Sequence, residues 1–211
     1  ASVRHMHMLH RSVERVKELY PELAIRILDL PTNMKQVRAR NEGVRQARGA
    51  YIMLCDDDDL LLPGHMEKMV RLLESGAADL AYSDVEIFDY EWRDGVRCPT
   101  NRRLFAYDDD YAAMRRISTF VASGCLYRRS LHEELGLFDV EMNNYWDWDF
   151  YLRAARGHRV RRAADATVLY AFSGFGGNQS ADLSPKRNAH LDRLCEKHGL
   201  GERPRENFFS L

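Results

Sequence analysis

Four consecutive aspartates, Asp56 to Asp59, follow the apolar run Tyr51-Ile52-Met53-Leu54-Cys55 and precede Leu60-Leu61-Leu62-Pro63. An apolar run bounded by turn signals predicts a buried strand. Carboxylates gathered where such a strand emerges repel one another. A divalent cation among them removes that cost, because hard oxygen ligands suit Mg2+ or Mn2+. The competing reading is a solvated acidic turn that caps the next helix.

The elements around this turn are legible from periodicity. Leu9, Val13, Val16 and Leu19-Tyr20 recur at helical spacing and predict an amphipathic helix ended by Pro21. Ala24 to Leu30 alternates as a strand stopped by Pro31, and Val37 to Ala47 is helical with Gly49 as its stop. After strand Tyr51–Cys55 and the acidic turn come a helix from about Pro63 to Leu73 and a strand over Leu80–Val85. That alternation predicts an α/β fold: a Rossmann-like, mostly parallel sheet with helices on both faces. From Ile87 to Arg116 the pattern loosens around Trp92, Gly95 and Asp108-Asp109-Asp110. Thr119–Tyr127 reads as a strand around Gly124, Ser130–Leu135 as a short helix, and Trp146 to Arg156 as a helix. Val160–Tyr170 is strand material, and a Gly-rich stretch, Ser173 to Gly177, precedes a polar helix near Pro185–Lys197. With no repeat or linker, residues 1–211 read as one domain. Its opening helix has no leading strand, so either the chain is trimmed or further residues precede it.

Composition excludes several classes. The 211 residues are 45% hydrophobic and 30% charged, which is globular, and 31 Lys+Arg against 32 Asp+Glu leave a net charge of -1. Global charge therefore argues against a nucleic-acid partner. The arginines at 153, 156, 159, 161 and 162 read as a solvated helix face and its loop. Four singly scattered cysteines and eight histidines without ligand spacing argue against structural zinc and suit reduced thiols in a cytoplasmic protein. No run approaches a bilayer span and no secretory signal is visible, while peripheral contact with the inner membrane face stays open. Phosphate-binding loops, nucleophile elbows and dinucleotide fingerprints are absent from the sequence.

Three ordered segments resemble the family 2 glycosyltransferases, whose fold is GT-A. They are Arg40-Asn41-Glu42-Gly43 through Ala47-Arg48-Gly49-Ala50-Tyr51-Ile52 into the four aspartates and Leu62-Pro63; Tyr82-Ser83-Asp84-Val85; and Gly136-Leu137-Phe138-Asp139 followed by Trp146-Asp147-Trp148-Asp149-Phe150-Tyr151-Leu152-Arg153. The resemblance implies transfer of a hexose-type group from a nucleotide diphosphate-sugar, UDP most often in such families, to an acceptor hydroxyl on a carbohydrate, lipid or protein. It implies Mn2+ or Mg2+ held by Asp58, with Asp56 or Asp57 facing the ribose or the same metal. Such a cation stabilises the departing diphosphate. Asp59 is assigned to capping the next helix.

In the same resemblance Asp147 matches the base that deprotonates the acceptor, and Trp146 stands where the family commonly has glutamate. Arg40 and Asn41 match nucleotide-proximal positions, with Lys35 and Arg38 just upstream. Asp84, read as ending its strand beside the acidic run, becomes a donor-sugar contact. Residues 1–86 form the donor half, and 87–211 the acceptor half with a C-terminal flap around Gly174, Gly176 and Gly177. One base and one in-line displacement imply inversion. The family's usual metal-binding His before an Asn-x-Ser segment is absent. The competing functions are a non-catalytic nucleotide- or sugar-binding protein and a nucleotidyltransferase.

Overall fold

The computed structural model describes residues 3–172 and 185–201. The chain divides into two compact units, Ala1–Lys35 and Gln36–Leu211. In the first, helix α1 (Val3–Leu19) is followed by a turn at residues 21–23 and then by residues without regular structure. Residues 24–30 alternate in the sequence as a strand would, but they form no strand, because no neighbouring backbone completes a ladder with them.

The second unit carries helices α2 (Lys35–Gln46, opening on the last residue of the first unit), α3 (His65–Glu74), α4 (Tyr111–Met114), α5 (Leu131–Leu135), α6 (Trp146–Ala155) and α7 (Pro185–His198). Its strands are β1 (Tyr51–Met53), β2 (Leu60–Leu61), β3 (Leu80–Arg93), β4 (Val96–Phe105), β5 (Cys125–Arg128) and β6 (Val160–Phe172). They form a six-stranded sheet of order β1-β5-β3-β6-β2, with β4 paired to β3. The α/β class and helices on both faces are as expected, but the sheet is mixed rather than mostly parallel. Only β3 and β6 pair in parallel; β5 lies antiparallel between β1 and β3, and β2 and β4 are antiparallel to their neighbours. Helix–strand alternation fixes the two faces of a sheet, whereas β5 follows a 3₁₀ turn, Ala122–Gly124, and enters in the reverse sense.

Strand alternation builds the two faces. Ile52, Leu80, Tyr82, Cys125 and Tyr127 point into a core shared with α2, α5 and α6, which also holds Val37, Phe120, Phe138 and Phe150. The intervening Ala81 and Leu126 pack under Met69 and Leu73 of α3, with Tyr51 and Met53 beside them. The stretch that loosens in the sequence is a long hairpin, β3–β4, turned at Asp94 and Gly95 (φ 50° and 78°). Both residues lie in the left-handed region that a two-residue hairpin turn of this hand requires.

The acidic turn is held at both ends. β1 leads into it from its pairing with β5, and β2 leaves it paired to β6 through Leu60–Leu169 and Leu61–Val168. Asp59 N–H closes the turn on the Asp56 carbonyl at 3.2 Å. The Gly-rich flap expected at Ser173–Gly177 and Asn178–Ser180 lies outside the described residues.

Candidate active site

Ser123, buried on the 3₁₀ turn before β5, sets the conformation of the acidic turn. Its hydroxyl donates to Asp59 Oδ2 at 2.5 Å and accepts from Asp56 N–H at 3.2 Å. Asp59 is therefore a buried part of the turn's frame, and its pKa is pushed up to about 6 by burial, against the Ser123 hydrogen bond. It does not cap a helix. The chain makes β2 first, and the cap position of α3 is Gly64. Asp57 is exposed and Asp58 half-buried. Among the described residues, the Asp58 carboxylate has no ion-pair partner, and its backbone carbonyl accepts from Arg97 Nη1 at 3.1 Å.

Asp56 is drawn to the other side. Its Oδ1 accepts from Arg40 Nη2 on α2, and the Arg40 guanidinium lies 4.3 Å from the centre of the Trp146 ring. A planar cation pinned between a carboxylate and an indole face is well ordered. Arg40 Nη1 is buried and finds no hydrogen-bond partner among the described residues. Trp146 thus forms the wall behind Arg40, in turn packed edge-on to Phe138 with ring centres 4.8 Å apart.

Asp147 follows Trp146 in the first turn of α6 and belongs to the same group. Burial raises its pKa above the usual carboxylate range, and the Asp56 charge adds to that rise. The Trp148 N–H, 2.8 Å from Oδ1, and the Arg40 cation oppose it. Arg40, Asp56, Trp146 and Asp147, from well-separated parts of the chain, converge beside the acidic turn.

Other expected site residues are placed elsewhere or otherwise engaged. Asn41 is 4% exposed, and its amide both donates to the Phe138 carbonyl (2.9 Å) and accepts the Phe138 N–H (3.0 Å). It ties α2 to the loop before α6 instead of facing a nucleotide, since both ends of its amide are engaged. Asp84 does not end its strand, because β3 continues to Arg93. Its buried carboxylate takes a two-pronged pair from Arg162 (2.6 and 2.7 Å), which also reaches Asp108 at 2.6 Å. Lys35 is exposed at the start of α2 in the first unit, its N–H donating to Asn33 Oδ1 at 3.0 Å, and Arg38 is exposed.

Asp149 has no exposure and is the hub that fixes α7 to α6. It accepts from His198 Nε2 and Lys197 Nζ at 2.8 Å each and from Arg153 Nε at 3.0 Å. Arg153 in turn donates to the Leu135 and Leu137 carbonyls, holding the loop before α6. Burial would raise the Asp149 pKa, but the His198 and Lys197 hydrogen bonds and the Arg153 charge outweigh it and hold the carboxyl at about 2. A carboxyl depressed from 3.8 stabilises the fold above its unfolded value and loses that contribution as pH falls through its folded one. The lost stability is about 2 kcal/mol between roughly pH 4 and pH 2. Asp149→Asn is expected to cost at least that much near pH 7 and to flatten this acid limb. Urea unfolding midpoints of both proteins across that range check it.

Ser123, Arg97 and Arg162 were not apparent as framing residues from the sequence. Asp94-Gly95 between alternating residues was a readable hairpin signal for the arm carrying Arg97. Nothing local marks Ser123 or Arg162, whose partners lie 64 and 78 residues away.

Residues 10–136 match the family model described as glycosyl transferase family 2. An uncharacterized glycosyltransferase of Bacillus subtilis, YwdF, is 57% identical over 197 residues, covering 93% of this chain and 73% of that protein. Among solved structures, S. aureus TarS in complex with UDP-GlcNAc superposes with a TM-score of 0.64 at 16% identity, over 89% of this chain and 54% of that one. The mannosyltransferase PcManGT of Pyrobaculum calidifontis, in complex with GDP-Man and Mn2+, gives 0.59 at 18% identity, over 92% and 52%. This chain thus spans about half the length of those two, and they share its fold. No helix among the described residues is long and apolar enough to cross a membrane.

Proposed function

Because the chain belongs to glycosyl transferase family 2 and is a glycosyltransferase, we propose that it moves a sugar from a UDP-sugar to an acceptor hydroxyl with inversion, Asp147 acting as base. The observation that carries this reading is the convergence of Asp147, Arg40 and Asp56 beside the Asp56–Asp59 turn. A raised pKa makes the ionised carboxylate a stronger acceptor for the hydroxyl's proton. The buried Nη1 of Arg40, unpartnered among the described residues, supports an anionic ligand at this point, since such donors are otherwise nearly always satisfied. Asp57, exposed at the crest of the turn, suits a ribose hydroxyl.

The donor set fits a divalent cation of the kind that takes one or two protein carboxylates and completes its shell with phosphate and water. Asp58 has a carboxylate free of ion pairs among the described residues, and Asp56 keeps one oxygen outside its pair with Arg40. No group of three His, Cys, Asp or Glu side chains is poised for a metal among the described residues, so substrate oxygens would supply the rest. When bound, such a cation would supply Lewis-acid stabilisation of the diphosphate leaving group. Arg40 orients that group from the side of α2, while Trp146 keeps water from the back of the guanidinium. Asp147 accepts the acceptor proton as the new glycosidic bond forms.

Incubation with UDP-, GDP- and dTDP-sugars and Mn2+, with nucleotide products read by chromatography, tests the reading. UDP release is expected. Sugar 1-phosphate release in place of UDP would identify a nucleotidyl transfer, because cleavage then falls at the α-phosphorus, and tight UDP binding without release from any donor would identify a binding protein.

A further inference from the structure

The proposed chemistry leaves the outer part of the β3–β4 hairpin without a role. Along β3 the even-numbered residues Phe88, Tyr90 and Trp92 share one face, with successive ring centres 6.1 Å apart. Exposure rises outward, from 8% at Phe88 to 63% at Trp92. The odd-numbered face is polar: Asp89 bonds Asn101 and Arg103 across the hairpin, and Glu91 pairs with Arg93. The arm is thus aromatic on one side only.

Arg97 ties that aromatic side to the acidic turn. It pairs with Trp92 across the hairpin, and its guanidinium lies 5.0 Å from the centre of the Tyr90 ring and 5.7 Å from that of Trp92. Its Nη1 donates to the Asp58 carbonyl. Arg40 engages the turn at Asp56 and Arg97 engages it at Asp58, so the arm borders a part of the site that α2 does not. Trp92 is thus an exposed indole beside the acidic turn, presented with the Tyr90 ring and the Arg97 guanidinium on one face of the arm. One face of a pyranose ring presents polarised C–H groups that complement the negative face of an indole, while its equatorial hydroxyls stay hydrated. We propose that Tyr90, Trp92 and Arg97 form the acceptor subsite, taking a pyranose ring of a carbohydrate acceptor against Trp92. This rests on the glycosyl-transfer reading and specifies its second substrate.

Two NMR measurements on the full chain decide it. Titration with methyl pyranosides of gluco, galacto, manno and N-acetylglucosamine configuration is followed on the three tryptophan indole N–H signals, with Trp92→Phe assigning that of Trp92. The Trp92 signal is expected to move with at least one of them, and those of Trp146 and Trp148 to stay. Trp92→Ala is expected to weaken that pyranoside's binding about tenfold, read by saturation transfer to the ligand, with Trp92→Tyr recovering part of it and UDP affinity unaltered. An indole indifferent to all four pyranosides overturns the proposal. So does a Trp92→Ala protein that loses UDP affinity, because the arm would then serve the donor. A wild-type protein that releases no nucleotide from any donor refutes the transfer reading separately, while a moving Trp92 signal would still show that the arm takes sugar.

Discussion

Asp147→Asn is expected to lower turnover about a hundredfold or more while leaving UDP binding unchanged. The isosteric amide keeps the hydrogen bond from the Trp148 N–H and the packing at the start of α6, but cannot accept a proton. The pH profile gives an independent check. A base works only when ionised, and burial raises the Asp147 pKa, so the acid limb of wild-type activity is expected above the ordinary carboxylate value of about 4. In Asp147→Asn the residual rate is expected to lose that limb. Wild-type turnover in the variant, or an acid limb that survives the substitution, would remove Asp147 from the chemistry.

The second large effect is expected at Asp58. Asp58→Ala is expected to abolish the Mn2+-dependent part of UDP binding, a fall in affinity of about a hundredfold or more, since even outer-shell changes around metals cost ten- to a hundredfold. Calorimetric titration of UDP with Mn2+ and with EDTA measures it in both proteins. The turn should survive the change, because its conformation is set by Ser123, Asp59 and the Asp56 carbonyl rather than by the Asp58 side chain. Retention of Mn2+-dependent binding by Asp58→Ala would move the cation to other ligands.

Periodicity carried much of the fold. The helices at 35–46, 65–74, 131–135 and 146–155, the strands at 51–53 and 160–172 and the start of the strand at 80 fall where apolar spacing and the Gly and Pro stops put them, while that last strand runs past Val85 to Arg93. The errors have separate causes. Residues 24–30 have a strand's alternation, but a strand also needs a partner, which no local pattern supplies. Asp84 looked strand-terminal because the apolar run thins there, yet the ladder continues on β6 and β4 as Arg162 neutralises the buried carboxylate. Asn41 matches a nucleotide-proximal position by resemblance, yet it lies on the buried face of α2 and bonds the Phe138 backbone.

The two aspartate-bearing motifs, Asp56–Asp59 and Trp146–Asp149, show the division most directly. Residue type and order alone singled out both as candidate sites and gave the family. What each carboxylate does was decided by its neighbours in space. Within Asp56–Asp59, one carboxylate meets Arg40, one is exposed, one is free of ion pairs among the described residues, and one is buried against Ser123. Within Trp146–Asp149, Asp147 has its pKa raised, while Asp149, two residues on, has its pKa lowered against burial by hydrogen bonds from His198 and Lys197 and by the Arg153 charge. A carboxylate's pKa and role depend on the charges and dielectric within a few ångströms. Those surroundings come from segments tens of residues away, so chain folding assigns them and local sequence cannot.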